Sequence, residues 1–223
     1  MLNTGNDVNV VRNRFGKSYF FSMTEDINQI IAPIKEYFKL DSFNFHKIYN
    51  DDTQIRLTNK PDWMRYYLSN RLYLDSIFEL PAANYERNRF IWSNIDTHNG
   101  ILKAASNFGI RFGVTFIEPT NDGCEFYFLG TTTNDKNVIN NYLSNFKLLE
   151  KFVENFHESG KSLFEKIEPH RFIIEDWYQN KTKFNSSGYI DKYKFLANIY
   201  GYTFTKREFE CIPLLLKVLV QNK

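Results

Sequence analysis

Two pairs of alternating segments constrain this chain most. F-N-F-H-K-I-Y at residues 43–49 and T-Q-I-R-L-T at residues 53–58 flank Asn50-Asp51-Asp52, a turn signal, so residues 43–58 read as a β-hairpin. I-R-F-G-V-T-F-I-E at residues 110–118 and C-E-F-Y-F-L-G-T-T at residues 124–132 form a second pair, joined through P-T-N-D-G. Helical periodicity fills the spaces between. Ile27, Ile30, Ile31, Ile34 and Phe38 recur at helical spacing, with Glu25 and Asp26 in the first turn where the helix dipole favours acids. Pro33 inside that pattern predicts a kink or a break. The order is helix, hairpin, helix, strand, helix, hairpin, and then more helix.

The second helix starts at Pro61, a residue suited to a first turn, and runs to about Tyr73. Residues 75–88 are irregular around Pro81, and R-F-I-W gives a short strand ending at Trp92. A third helix covers residues 97–108, with Ile101, Ala105 and Phe108 on one face and Gly109 as its C′ residue. The longest predicted helix is 137–158, where Ile139, Tyr142, Phe146, Leu149, Val153 and Phe156 make a continuous seam. One face of a sheet would absorb that seam; a dimer contact is the alternative. K-S-L-F-E-K-I extends the helical region towards Pro169.

At 223 residues the chain has room for one good-sized domain and a small second one. Residues 1–20 read as a loose arm, 21–177 as the main domain and 178–203 as a linker containing Ser-Ser-Gly. Residues 204–223 begin a new unit: Thr205 and Glu208 form a capping box, with Phe204 and Phe209 at the staple positions. Net charge is +2 with both signs mixed along the chain, so no basic face argues for nucleic acid. No apolar run approaches the roughly 18 residues of a membrane span, and the N-terminus lacks a signal-peptide core. Cys124 and Cys211 lie far apart without metal-ligand spacing. A cytoplasmic protein is expected.

Motifs of catalysis are missing. The glycines form neither G-x-G-x-x-G nor a P-loop, and G-x-S-x-G is absent. His46, His98, His157 and His170 show no paired metal spacing. No metal, cofactor or catalytic residue is expected. The stretch that stands out is N-K-P-D-W-M-R-Y-Y-L-S-N-R-L-Y-L-D at residues 59–75. Trp63, Tyr66 or Tyr67, Tyr73 and Asp75 put aromatic area and one carboxylate on a single helix and its exit, which suits either a small-molecule pocket or an ordinary aromatic core. Among Trp63, Tyr67, Tyr73 and Phe78, Asp75 would need hydrogen-bond donors, from a ligand amide or from a local turn.

W-M-R-Y-Y-L-S-N-R-L-Y-L-D, then Trp92, then G-I-R-F-G-V-T-F-I-E-P resembles the autoinducer-binding domain of LuxR-type quorum-sensing transcriptional regulators. F-T-K-R-E-F-E-C-I-P-L-L-L-K resembles the opening of their helix-turn-helix domain. The resemblance implies an α+β fold: a three-layer α/β/α sandwich whose central antiparallel sheet encloses an acyl-homoserine lactone. By motif, Trp63 would donate to the lactone carbonyl, Asp75 would accept from the ligand amide, and Trp92, Tyr67 and Tyr73 would wall the pocket. Asn59 stands where the family commonly has a tyrosine donating to the amide carbonyl, and Ser76 stands where a proline usually follows the aspartate.

After Lys217 the chain reads V-L-V-Q-N-K, leaving a short C-terminal helical remnant without the recognition helix that enters the major groove. The expectation is a truncated sensor that does not itself bind DNA. It would take an acyl-homoserine lactone or another hydrophobic signal, as a homodimer or paired with a full-length regulator. The alternative is a ligand-free dimerisation module.

Overall fold

In the computed structural model, which describes residues 19–92 and 100–174, both predicted hairpins form. Strand β1 (Ser42–Tyr49) pairs antiparallel with β2 (Gln54–Thr58) on one side. On its other side it pairs with β5 (Gly123–Thr131), which in turn pairs with β4 (Phe112–Thr120). Strand β3 (Asn88–Ile91) closes the far edge, giving a five-stranded antiparallel sheet in the order β2-β1-β5-β4-β3. In the first turn Asp51 accepts from the backbone N–H and the hydroxyl of Thr53, and Asp52 takes a left-handed φ of 66°. Short polar side chains tolerate that conformation and close such turns.

Alternation would normally imply one wet face. Here every residue of β1 and β2 is buried, so both faces are covered. One face carries Phe43, Phe45, Leu57 and Tyr127. Against it lies helix α5 (Phe146–Ser159), followed by α6 (Lys161–Ile167). Phe156, fully buried, meets the rings of Phe43, Phe45, Tyr127 and Phe164 at centroid distances of 5.1, 5.4, 5.5 and 5.6 Å. These are edge-to-face and tilted arrangements, which suit the ring quadrupoles. Helices α1 (Thr24–Phe38) and α4 (Asn137–Ser144) complete this layer through the Phe38–Tyr142 contact. The opposite face carries Asn44, His46, Arg56 and Phe128 and is covered by α2 (Pro61–Ser69) and α3 (Gly100–Ser106). The fold is α+β, with the antiparallel sheet between helical layers.

Three helix expectations change. The helix predicted from Pro61 to about Tyr73 ends at Ser69, and a separate 3-10 turn follows at Leu72–Asp75. Pro33 neither ends nor interrupts α1: its ring lies on the exposed side, while Ile27, Ile31, Ile34 and Phe38 bury the other stripe. The predicted single helix over 137–158 is two helices, broken at Asn145. The Asn145 amide donates to the Asn141 carbonyl and side-chain oxygens at 3.1 and 2.8 Å, and its own oxygen accepts from the Tyr37 hydroxyl at 3.1 Å. Such local side-chain bonds compete with helix continuation. The seam survives the break, with Tyr142, Leu149, Val153 and Phe156 all buried. The predicted 97–108 helix is described as Gly100–Ser106, followed by Gly109 at φ 79°. Most of the N-terminal arm, the 178–203 linker and the Thr205–Glu208 capping box lie outside the described residues.

Where β3 ends, Trp92 lies flat on the sheet because two neighbours lack side chains. A Cβ on Gly113 would stand 2.4 Å from the Leu129 carbonyl oxygen and 2.6 Å from the Trp92 ring; one on Gly130 would stand 2.9 Å from the same ring. Gly113→Ala should therefore destabilise the domain by about 1–3 kcal/mol, the usual cost of overpacking. Urea denaturation checks this, and an unchanged midpoint would contradict the account of Trp92's seat.

Candidate ligand-binding cleft

Asn44 and His46 of β1 share one face with Arg56 and Thr58 of β2 because paired residues in an antiparallel sheet point the same way. His46 stands opposite Arg56, and Asn44 opposite Thr58. Above them α2 contributes Trp63, Met64 and Tyr67, while α3 contributes Ile101 and Ala105. Between these helices and the sheet lies a cleft with an empty volume, mouth included, of about 830 Å³. Its walls are apolar, with Trp92, Ile110 and Phe128 on the sheet side, and its floor is polar.

The floor is one connected network. Nη2 of Arg56 lies 2.6 Å from both carboxylate oxygens of Glu79, and both side chains are about 97% removed from water or more, at 3% and 2% exposure. The Tyr67 hydroxyl donates to Glu79 Oε1 at 2.7 Å, and Arg56 Nη2 also donates to Gln54 Oε1 at 3.0 Å. Nε2 of His46 lies 3.2 Å from that same Gln54 oxygen. Burial, and then the Arg56 charge, hold His46 well below its ordinary pKa, so the ring is neutral and donates from Nε2. Its 3.9 Å approach to Glu79 is accordingly no ion pair. Burial works against the Arg56 charge, but Glu79 and Tyr67 together outweigh it and keep the guanidinium protonated. Burial also pushes the Tyr67 hydroxyl well above its ordinary range, so it stays a donor.

Glu79 sits in the irregular segment after α2, and a second tyrosine fixes that segment. The Tyr85 hydroxyl accepts from the Leu80 N–H at 2.8 Å and donates to the Ile77 carbonyl at 2.7 Å, while its ring packs on Phe126. The loop therefore presents its carboxylate to β2 in a defined place.

Of the residues predicted from sequence, Trp63, Tyr67 and Trp92 line the cleft together. The other three stand elsewhere. Tyr73 is buried in a 3-10 turn outside the lining. Asp75 ends that turn exposed to solvent, where its charge needs no partner. Asn59 accepts from the Phe43 N–H at 2.7 Å and donates to Asp41 O and Asn28 Oδ1, both at 3.0 Å, so it ties the start of β1 to α1. The buried carboxylate is Glu79, not Asp75. Asn44, His46, Arg56 and Glu79 were not singled out from the sequence. The only available signal was the run of polar residues at alternate positions in both strands, which reads as a wet face until the second helical layer is known.

The Trp92 indole N–H donates to the Thr115 hydroxyl at 2.8 Å, so it is engaged within the protein. Among the described residues no group of His, Cys, Asp and Glu is arranged to hold a metal ion, and no helix is long and apolar enough to cross a membrane.

Comparison with known proteins gives no matching family model and no matching curated sequence. Among solved structures the chain is similar to SdiA in complex with octanoyl-rac-glycerol, with 15% identity and a TM-score of 0.48 over 73% of this chain and 68% of that one. It is also similar to a crystal structure of Escherichia coli SdiA, with 16% identity and a TM-score of 0.43 over 60% and 58%.

Because His46 is neutral when folded and free to protonate when unfolded, the unfolded chain binds the extra proton. Its depressed folded pKa means stability is intact above the unfolded value of about 6.5 and declines as pH falls below it. One such group contributes a slope of at most about 1.4 kcal/mol per pH unit. Chemical denaturation from pH 7.5 to 5 should show this decline, and His46→Gln should remove it. An equal slope in both proteins would contradict a neutral His46.

Proposed function

We propose that the described domain is a small-molecule sensor that takes a hydrophobic signal between the sheet and helices α2 and α3. The observation that carries this reading is the cleft itself: apolar walls over a floor of a few fixed polar groups, the usual construction of a small-molecule site. Support also comes from the resemblance of residues 63–75, Trp92 and the following strand to LuxR-type autoinducer-binding domains, since Trp63, Tyr67 and Trp92 converge there. On this reading the chain works in the cytoplasm as a regulator of the LuxR type, binding rather than transforming its ligand. Acyl-homoserine lactones and other acyl compounds with a polar head are the ligands to try first. The exposed position of Asp75 and the structural engagement of Asn59 argue that the polar head is read by other groups than the family motif implies.

A second reading has one observation of its own. Tyr37, Leu143 and Leu148 are half exposed or more on the outer side of α1, α4 and α5, an apolar patch suited to pairing with a second copy or with a full-length regulator. Sedimentation of the ligand-free chain would reveal that association, and a monomer at high concentration would remove it.

The sensor reading is tested by thermal denaturation of the full chain with a panel of acyl-homoserine lactones and octanoyl-rac-glycerol. A ligand at a hundred times its Kd stabilises the folded state by about 2.7 kcal/mol, which raises the Tm of a domain this size by roughly 5–10 °C. At least one member should do so. No shift with any member would overturn the reading.

A further inference from the structure

We propose that helix α3 is the gate of the cleft, swinging about Gly109 and latched by the Phe108 ring against Trp63 and Tyr66. The gate adds an entry step to the sensor reading and rests on it for what enters. α3 stands between the cleft and solvent: Ile101, Leu102 and Ala105 line the cleft, while Gly100 and Lys103 are exposed on the outer side. Elsewhere the lining is pinned by polar bonds. Tyr67 ties α2 to Glu79 at 2.7 Å, Tyr85 clasps the segment that carries Glu79, and Trp92 donates to Thr115 at 2.8 Å. α3 meets the other walls with apolar side chains. The Phe108 ring, just past its C-terminal end, lies 5.5 Å from the Trp63 ring and 5.1 Å from the Tyr66 ring, at interplanar angles of 57° and 54°. Such surfaces part and meet again without leaving a buried charge or hydrogen-bonding group unpaired, so this wall opens at lower cost than the others.

The hinge follows from how α3 ends. The Gly109 N–H donates to the Ser106 carbonyl at 3.0 Å and the Ile110 N–H to the Ala105 carbonyl at 3.1 Å, the paired bonds of a Schellman cap with Gly109 at φ 79°. Next in the chain, the Arg111 N–H bonds to the Thr131 carbonyl at 2.9 Å, and from Phe112 the backbone belongs to the β4 ladder. Opening releases the two cap bonds to water. Gly109, lacking a Cβ, leaves its left-handed angles for others without steric cost, as a hinge position must. The helix itself has seven residues, too few to be rigid without the contacts of its inner face. Gly109 is thus the last free joint before a fixed sheet, and Phe108 beside it is the contact that holds the joint closed.

Thiol labelling of the full chain with dithiodipyridine reads the gate without a ligand. Ala105→Cys, in a Cys211→Ser background, places a thiol on the cleft side of α3, and the native buried Cys124 reports global unfolding in the same molecule. The thiol at position 105 should react at least about a hundredfold faster than Cys124, and at least about tenfold more slowly than a free thiol. Phe108→Ala should speed position 105 by about tenfold, because the latch contact is absent from the open state. Phe156→Leu, on the far side of the sheet, should speed Cys124 by about tenfold and leave position 105 unchanged, because that packing survives opening. Labelling at position 105 at the pace of Cys124 or of a free thiol would overturn the gate, as would a folded Phe108→Ala variant with no effect there. Should a variant fail to fold, hydrogen exchange of the unaltered chain decides: the Ile110 N–H, released on opening, should be at least about a hundredfold less protected than the amides of β5, and equal protection would overturn the gate. Because no ligand is used, the gate can fail while the sensor reading stands, and the acyl panel can fail while the gate stands.

Discussion

Arg56 and Glu79 are both almost wholly removed from water, and neither could be buried alone. That constraint reaches well beyond the pair. Arg56 is fixed by β2, whereas Glu79 belongs to an irregular segment with no ladder to hold it. The segment must therefore be held by side chains, and Tyr85 does this by clasping Leu80 N–H and the Ile77 carbonyl. Tyr67 then links the same carboxylate to α2. One ion pair thus ties together a strand, the helix after it and the irregular segment that follows that helix. Replacing such a pair by apolar residues is often neutral or stabilising, so its value here is the defined position it imposes rather than net stability.

The two faces of the sheet divide the labour. Phe156 and its ring neighbours fill the α5 side with large, interlocking apolar area and no polar group at its centre. Lys47, Glu125, Tyr127 and His157 form a polar cluster at the margin of that layer: Glu125 accepts from Tyr127 at 2.7 Å and meets His157 at 2.9 Å and Lys47 at 3.2 Å. Burial raises the Glu125 pKa, but His157, Tyr127 and Lys47 together outweigh it and hold the carboxyl below its ordinary value. The cleft side carries the reverse arrangement, with charge at the centre and apolar walls around it. Aromatic packing fills one face, while the other keeps an opening.

Much of the frame was legible from residues alone. Both hairpins, α1, α2 and the buried seam of α4 and α5 follow from alternation, helical spacing and turn chemistry, which are local properties. The break at Asn145 was not legible, because Asn145 sits on a strongly periodic stretch and acts through Asn141 and Tyr37, the latter distant in sequence. Of the cleft lining, Trp63, Tyr67 and Trp92 were readable, whereas Tyr73 was expected there and is not, and the polar residues were not readable. Trp63, Tyr67 and Trp92 carry their role in their size. Asp75 and Glu79 are both acids near the exit of α2, and nothing local says which one faces inwards. Arg56 makes that choice from across the fold.

The same reasoning explains how a family-like motif can hold together while its polar reading changes. Aromatic walls depend on bulk and tolerate small shifts, so Trp63 and Trp92 can converge in the cleft even where loop lengths differ. A hydrogen-bonding head group depends on individual atoms. Asn59, where the resemblance would place a tyrosine, spends its amide on Phe43, Asp41 and Asn28. Asp75 faces solvent, and the strand beneath supplies Arg56, His46 and Asn44 instead. The polar floor lies on the sheet, not on α2 and its exit. The cleft thus has the polar side chains of the strands beneath it and the faces of Trp63 and Trp92 around it.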